Sequence, residues 1–196
     1  MAKPHTLTQN DILPWAEYAA TRADHRRRLS AIKRNRRVEV GPFVSFYFES
    51  FETMWFQVQE MLHIEKGGPA QIPDEISAYN PLIPKGRQLC ATFMIEIDDP
   101  LRRSRVLAGL GGIEETAFIE VGDMRIAAKA EVDQDRTTAE GKASSVQFVY
   151  FDFTDAQVAA FSQANTRVIL GLTHPNYRHM AVLSEATRLS LAEDFD

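Results

Sequence analysis

Five side chains able to handle a metal, a proton or a polar ligand fall within Phe51-Glu-Thr-Met-Trp-Phe-Gln-Val-Gln-Glu-Met-Leu-His-Ile-Glu65: Glu52, Gln59, Glu60, His63 and Glu65. Placed on a helix at about 100° per residue, with Glu52 at zero, Met54, Trp55, Val58, Met61 and Leu62 define a core face between roughly 180° and 300°. Glu52, Gln59 and His63 lie within about 20° of zero, on its flank. Glu60 and His63 are i,i+3 neighbours and can meet. Their spacing, Glu60-Met-Leu-His63, is the Glu-x-x-His pattern that occurs twice in carboxylate-bridged di-iron bundles, but no second copy is present. A mononuclear iron or manganese site would need Glu52, Glu60 and His63 to meet Glu49 or Glu96 from adjacent strands. The simpler expectation is charge pairing, with Arg22, Arg26 or Arg37 as partners and no cofactor. Glu65 falls within the apolar face, so it is expected either frayed beside Gly67 or buried against an arginine, since an unpaired buried carboxylate is costly.

A second cluster, His174-Pro-Asn-Tyr-Arg-His179, contains a turn. His174 and Tyr177 are expected to stabilise that turn, with an acid–base or ligand-orienting role at a sheet end as the alternative. Cys90 lies inside an apolar strand and reads as a buried filler. As the single cysteine it excludes an intrachain disulfide and a Cys-rich metal site. Ser144 and Ser145 lack a nucleophile-elbow context, and neither Gly109-Leu-Gly-Gly112 nor Gly67-Gly68 has phosphate-loop spacing.

The elements that must position these groups follow from periodicity and caps. Pro14 fits the start of a helix from Trp15 towards Asn35, and Glu52 to Glu65 forms a second that stops at Lys66-Gly-Gly-Pro69. Shorter helices are expected at 73–79, 101–110, 155–165 and 184–193. Strands are expected at 43–49, 89–97, 116–121, 124–132, 145–153 and 166–170, the fourth pairing with the fifth. Strands that follow one another without a helix argue for antiparallel pairing and against a doubly wound fold. The resulting fold class is α+β: a single domain, 1–196, with a mostly antiparallel or mixed β-sheet packed against several helices, and an N-terminal basic helix at about 15–35.

The net charge of −5 hides a separation. From Arg22 to Arg37 there are eight basic residues against one acid, Asp24. Long arginine stems can cover a core edge while their charges stay in water, so a solvated or self-paired helix is the first expectation and an acidic protein partner the second. Nucleic acid is not expected, because no aromatic-and-basic interleaving accompanies the charge. No apolar run approaches a membrane span and the start has no apolar signal segment, so a soluble cytoplasmic protein is expected. A β edge leaves room for a homo-oligomer.

Several stretches together resemble a known family: Arg34-Asn-Arg-Arg-Val-Glu-Val-Gly-Pro42; Phe48-Glu49 with Glu52-Thr53; Phe56-Gln-Val-Gln-Glu-Met61 with Ile64-Glu65; Tyr79-Asn-Pro-Leu-Ile-Pro84; and Ala91-Thr-Phe-Met-Ile-Glu-Ile97. The family is the bacterial one catalogued as domain of unknown function 3501, and His174-Pro-Asn-Tyr177 and Gln147-Phe148 extend the likeness across nearly the whole chain. The resemblance implies an accessory or interaction protein associated with redox or peroxide metabolism, docking an acidic redox partner. The alternative is a small metal-dependent or polar-ligand-binding enzyme built on the Glu/His cluster. The family pattern more often carries arginine where this chain has His63, which favours a charge-paired ligand pocket or structural network over a Glu-x-x-His metal site.

Overall fold

The computed structural model describes residues 4–131, 137–138 and 141–196. Pro14 has no amide proton to offer an upstream carbonyl, and helix α1 (Trp15–Arg34) begins immediately after it. Only Tyr18 and Leu29 of α1 are buried, so most of its arginine-rich surface meets water. Strands β1 (Arg37–Glu39) and β2 (Val44–Phe48) form an antiparallel pair. Helices α2 (Phe51–Glu65) and α3 (Ile72–Tyr79) then intervene before β3 (Gln88–Ile95) returns beside β2.

The rest of the chain supplies α4 (Pro100–Leu107), β4 (Ala117–Val121), β5 (Met124–Ala127), β6 (Lys129–Ala130) and β7 (Val146–Asp152). It ends with α5 (Asp155–Ser162), β8 (Val168–His174), β9 (Tyr177–Val182) and α6 (Glu185–Ala192). Every pairing between these strands is antiparallel.

The α+β class stands, but the strands make two sheets where one was expected. Five run in the order β1-β2-β3-β7-β6 and four in the order β5-β4-β8-β9. The expected strand from Met124 is the cause, because it changes sheet at Ala128. The Ala128 amide donates to Ala117 in the four-stranded sheet, and the Glu131 amide donates to Phe148 in the five-stranded one. Its expected pairing with 145–153 therefore holds only for Lys129 and Ala130, while Met124 to Ala127 pair with β4. Val132 and Asp133 lie outside the described residues.

The final strand expected at 166–170 runs on to His174, and β9 follows it through Pro175-Asn176. Four of β9's six residues are exposed, so its sequence carries no clean alternation to announce a strand.

Two apolar cores result. Phe46, Phe93 and Phe151 on one sheet meet Ile119, Leu170 and Leu172 on the other, all fully buried, each contributing about 1.5–3 kcal/mol. A smaller core, with Met54, Val58, Leu82 and Ile83, lies under α2 and α3 on the outer face of the five-stranded sheet, where Phe148 and Tyr150 point away from the main core. Arg36 is a member of the basic stretch that turns inward. Its guanidinium pairs with buried Asp194 and donates to the carbonyls of Phe48, Glu49 and Ser190, which ties the end of α6 to the first two strands.

Candidate functional site

Helix α2 is defined sharply at both ends. Ser50 and Thr53 exchange side-chain and backbone hydrogen bonds at its start, at 2.8 and 3.3 Å. At its end Lys66 adopts a left-handed conformation, φ 57°, so that its amide can cap the Leu62 carbonyl. Between these ends α2 is covered on two sides, by the sheet and by α1, and the flank read from helical angle is therefore interior. Gln59 keeps 2% of its exposure.

The acids on and around α2 are each held separately. The Arg22 guanidinium meets Glu60 as a fork, Nε to Oε1 and Nη2 to Oε2 both at 2.8 Å, and the Tyr18 hydroxyl adds a third bond at 2.6 Å. That fork brings the Glu60 carboxyl down to about 2, helped by Tyr18 and by the more distant charge of Arg26. Burial, together with the bond to Glu60, raises the Tyr18 hydroxyl. Glu49 is buried and accepts from the hydroxyls of Thr53 at 2.6 Å and Thr92 at 2.9 Å. Glu52 accepts from Ser50 at the first turn.

Glu96 gathers Ser45 at 2.6 Å, Tyr47 at 2.8 Å and Arg37 at 3.4 Å, and these bonds, led by that from Ser45, lower its carboxyl. Glu52, Glu60 and His63 are not brought together with Glu49 or Glu96 in the way a mononuclear metal site would need. Among the described residues no three His, Cys, Asp or Glu side chains gather as a metal site.

Of the two expectations for Glu65, the exposed one beside Gly67 describes it and the arginine-paired one does not: it accepts from Gln71 at 2.6 Å, and no arginine pairs with it among the described residues. As the last residue of α2, before the chain reverses, it escapes the apolar face that the angle assigns to it.

His63 is stacked on an aromatic ring of α1. Its ring lies on Trp15, centroids 5.2 Å apart and planes 14° apart, with the edge of Tyr18 at 5.8 Å. The Trp15 indole donates to the His63 carbonyl at 3.3 Å, fastening the start of α1 to the end of α2.

Beside this contact lies a cavity of about 700 Å³. Ile12, Leu13 and Pro14 form one wall with Trp15 and Tyr18, and Leu62, Pro69 and Ile72 form the opposite one. Gln59, His63 and Lys66 are the polar groups that α2 contributes. The Gln59 Nε2 and the His63 Nδ1 are buried and have no hydrogen-bond partner among the described residues. An apolar cavity with a few converging polar groups is the ordinary form of a small-molecule site, and each unmade buried bond costs about 1–3 kcal/mol. Sequence reasoning found Gln59 and His63 but missed Trp15, Tyr18 and Lys66 as cavity residues. The signal available was the pair of aromatics at i,i+3 opening an otherwise basic helix, and the Lys-Gly-Gly-Pro stop.

The remaining candidates act elsewhere. The His174 ring bonds the Gly111 carbonyl at 3.2 Å through Nε2 and accepts from the Asn176 amide through Nδ1. The Tyr177 hydroxyl donates to the Val40 carbonyl at 2.7 Å and accepts from the Phe43 amide at 3.3 Å, and burial raises it. Cys90 is fully buried, and burial pushes its thiol up.

Comparison with known proteins returns likenesses of the whole chain. The model of the family described as "Protein of unknown function (DUF3501)" matches residues 6–195. Among solved structures, the chain is similar to a novel protein of unknown function from Burkholderia pseudomallei K96243. The two share 36% identity over 97% of this chain and 100% of that one, with a TM-score of 0.90. No curated protein matches.

Proposed function

The chain belongs to the family of domain of unknown function 3501, whose description assigns no activity, and from the chemistry of its own cavity we propose that this protein binds a small, largely apolar molecule between α1, α2 and α3. One observation carries the reading: Gln59, almost wholly buried in the cavity wall, holds an amide N–H group with no acceptor. A core position serving stability alone would hold an apolar residue there, since an unpaired buried amide lowers stability. A ligand oxygen would complete the bond once the Gln59 side chain turns its amide into the cavity, from which the nitrogen is closed off in the free protein. The Trp15 ring, stacked on His63, and the Tyr18 ring offer flat apolar surface, and Trp15 is half exposed at the margin.

The test is titration with 1-anilinonaphthalene-8-sulfonate, read by dye fluorescence, on the wild type and on Ile72→Trp/Leu62→Trp, which crowds the cavity from two lining positions. Saturable one-to-one binding that disappears in the folded double variant supports the proposal. Binding that is absent, or unchanged in the crowded variant, overturns it.

A second reading rests on a separate observation. Lys33 and Arg34 have no ion-pair partner among the described residues, and with Arg37 they line a groove of about 580 Å³ beside edge strand β1. An accessory role in redox metabolism, which the sequence resemblance implies, would seat an acidic partner protein on this groove. A glutamate-rich peptide should bind there with an affinity that falls as salt rises. Retention of that binding in Lys33→Glu/Arg34→Glu would remove this reading.

A further inference from the structure

The three polar residues of the cavity are not scattered. Gln59 and His63 are i,i+4 neighbours on the cavity side of α2, and Lys66, one residue beyond its end, continues the row of polar groups at the cavity. At 1.5 Å per residue, the row is about 10 Å long from Gln59 to Lys66. Its inner end is the buried Gln59 amide and its outer end the exposed Lys66 ammonium.

The row has a definite electrical sense. Among the described residues Lys66 is the one Lys or Arg that lines the cavity, and no Asp or Glu lines it. Acids adjoining the cavity residues are engaged elsewhere: Asp11 by Thr8, Glu60 by Arg22 and Tyr18, and Glu65 and Glu75 by Gln71. The C-terminal carbonyls of α2 would oppose an anion, but the Lys66 amide caps that of Leu62 and the Trp15 indole caps that of His63. Tyr18 has already given its proton to a bond with Glu60 and offers the cavity its ring.

We infer that the ligand is an elongated apolar carboxylic acid with a second, uncharged acceptor oxygen: the oxygen meets the Gln59 amide inside, the carboxylate meets Lys66 at the margin, and the body lies against Trp15 and Leu62. This deepens the proposed function and rests on the cavity being a ligand site. Two acceptors about 10 Å apart, joined by a rigid apolar body, would match the row. Such a molecule fits the volume, which is in the range of drug-sized ligands.

Four probes separate the parts: naphthalene, 2-acetylnaphthalene, 2-naphthoate and 6-acetyl-2-naphthoate, titrated into the full-length protein and followed by protein-observed NMR. The keto acid should bind tightest. The acetyl group should add about tenfold through the buried amide, and the carboxylate about threefold through the exposed ammonium.

In Gln59→Leu the acetyl gain should vanish while the carboxylate gain remains, and in Lys66→Gln the reverse should hold. Equal binding of all four probes overturns the inference and leaves the cavity a site for apolar molecules. Gains that persist in the matching variants overturn it also. No binding of any probe, together with no dye binding, removes the proposed function itself.

Discussion

The Arg22 guanidinium grips both oxygens of Glu60 across the contact between α1 and α2, and in doing so removes from circulation the carboxylate best placed to act beside His63. A residue that a motif would make a metal ligand becomes the fastening that holds one wall of the cavity in place. Tyr18 joins the same fastening through its hydroxyl and lends the cavity its ring.

Glu60→Gln should therefore loosen the contact between the two helices. The substitution keeps the shape but strands the guanidinium, and the expected loss is about 1–3 kcal/mol. Urea denaturation measures it, and Arg22→Met/Glu60→Gln should recover part of the loss. An unchanged midpoint in the single variant would contradict the role given to this pair.

The same pair fixes a pH dependence. The Glu60 carboxyl is lowered from 4.5 to about 2, so its stabilisation is fully present above about pH 4.5 and is lost as pH falls through about 2. A carbon-detected NMR titration should find Glu60 still ionised at pH 3.5, where an exposed glutamate is mostly protonated.

Gln59→Leu should leave the ligand-free protein as stable as the wild type, or more stable by about 1 kcal/mol, because an unpaired buried amide is exchanged for an apolar group. Thermal unfolding without added ligand checks this. A clear drop in melting temperature would mean that the amide already has a partner, and the cavity argument would lose its support.

Lys66→Gly should stabilise the protein by about 1 kcal/mol, since Lys66 holds a left-handed backbone conformation, φ 57°, that glycine adopts without strain. Stability and ligand recognition should part company here, with a higher melting temperature accompanying a weaker preference for acids. A variant less stable than the wild type would show that the lysine side chain is needed for folding.

Much of this was legible in the chain. The helices expected at 155–165 and 184–193 form, capped by Thr154 and Ser184, and the alternation of Leu89 to Ile97 sorts its side chains between two faces as read. Periodicity could not show that Ala128 passes from one sheet to the other, because alternation fixes the faces of a strand and not its neighbours. It also misplaced Gln59. A helical angle is measured against one packing surface, and α2 has two, the second supplied by Tyr18 and Trp15 of α1. Between the two places open to Glu65 the angle could not choose, and the reversal of the chain one residue later ends the apolar face before it. The arginines of the basic stretch are alike in sequence, yet Arg36 is buried on Asp194 and Arg22 is spent on Glu60, while Lys33 and Arg34 stay unpaired among the described residues. Only three-dimensional proximity distinguishes them.

The passage of the strand through Ala128 has a mechanical meaning. On that side, continuous backbone sews the two sheets together, β5 to β6. On the far side β1 and β9 belong to different sheets, and the Tyr177 hydroxyl, bonded to Val40 and Phe43, acts as a clasp between them. The molecule is thus built like a book, with a covalent spine and a polar fastener at the fore-edge. Its easiest breathing motion should be an opening at the fore-edge, and amide hydrogen exchange around Val40 and Val44 should quicken in Tyr177→Phe while that of Ile126 hardly changes.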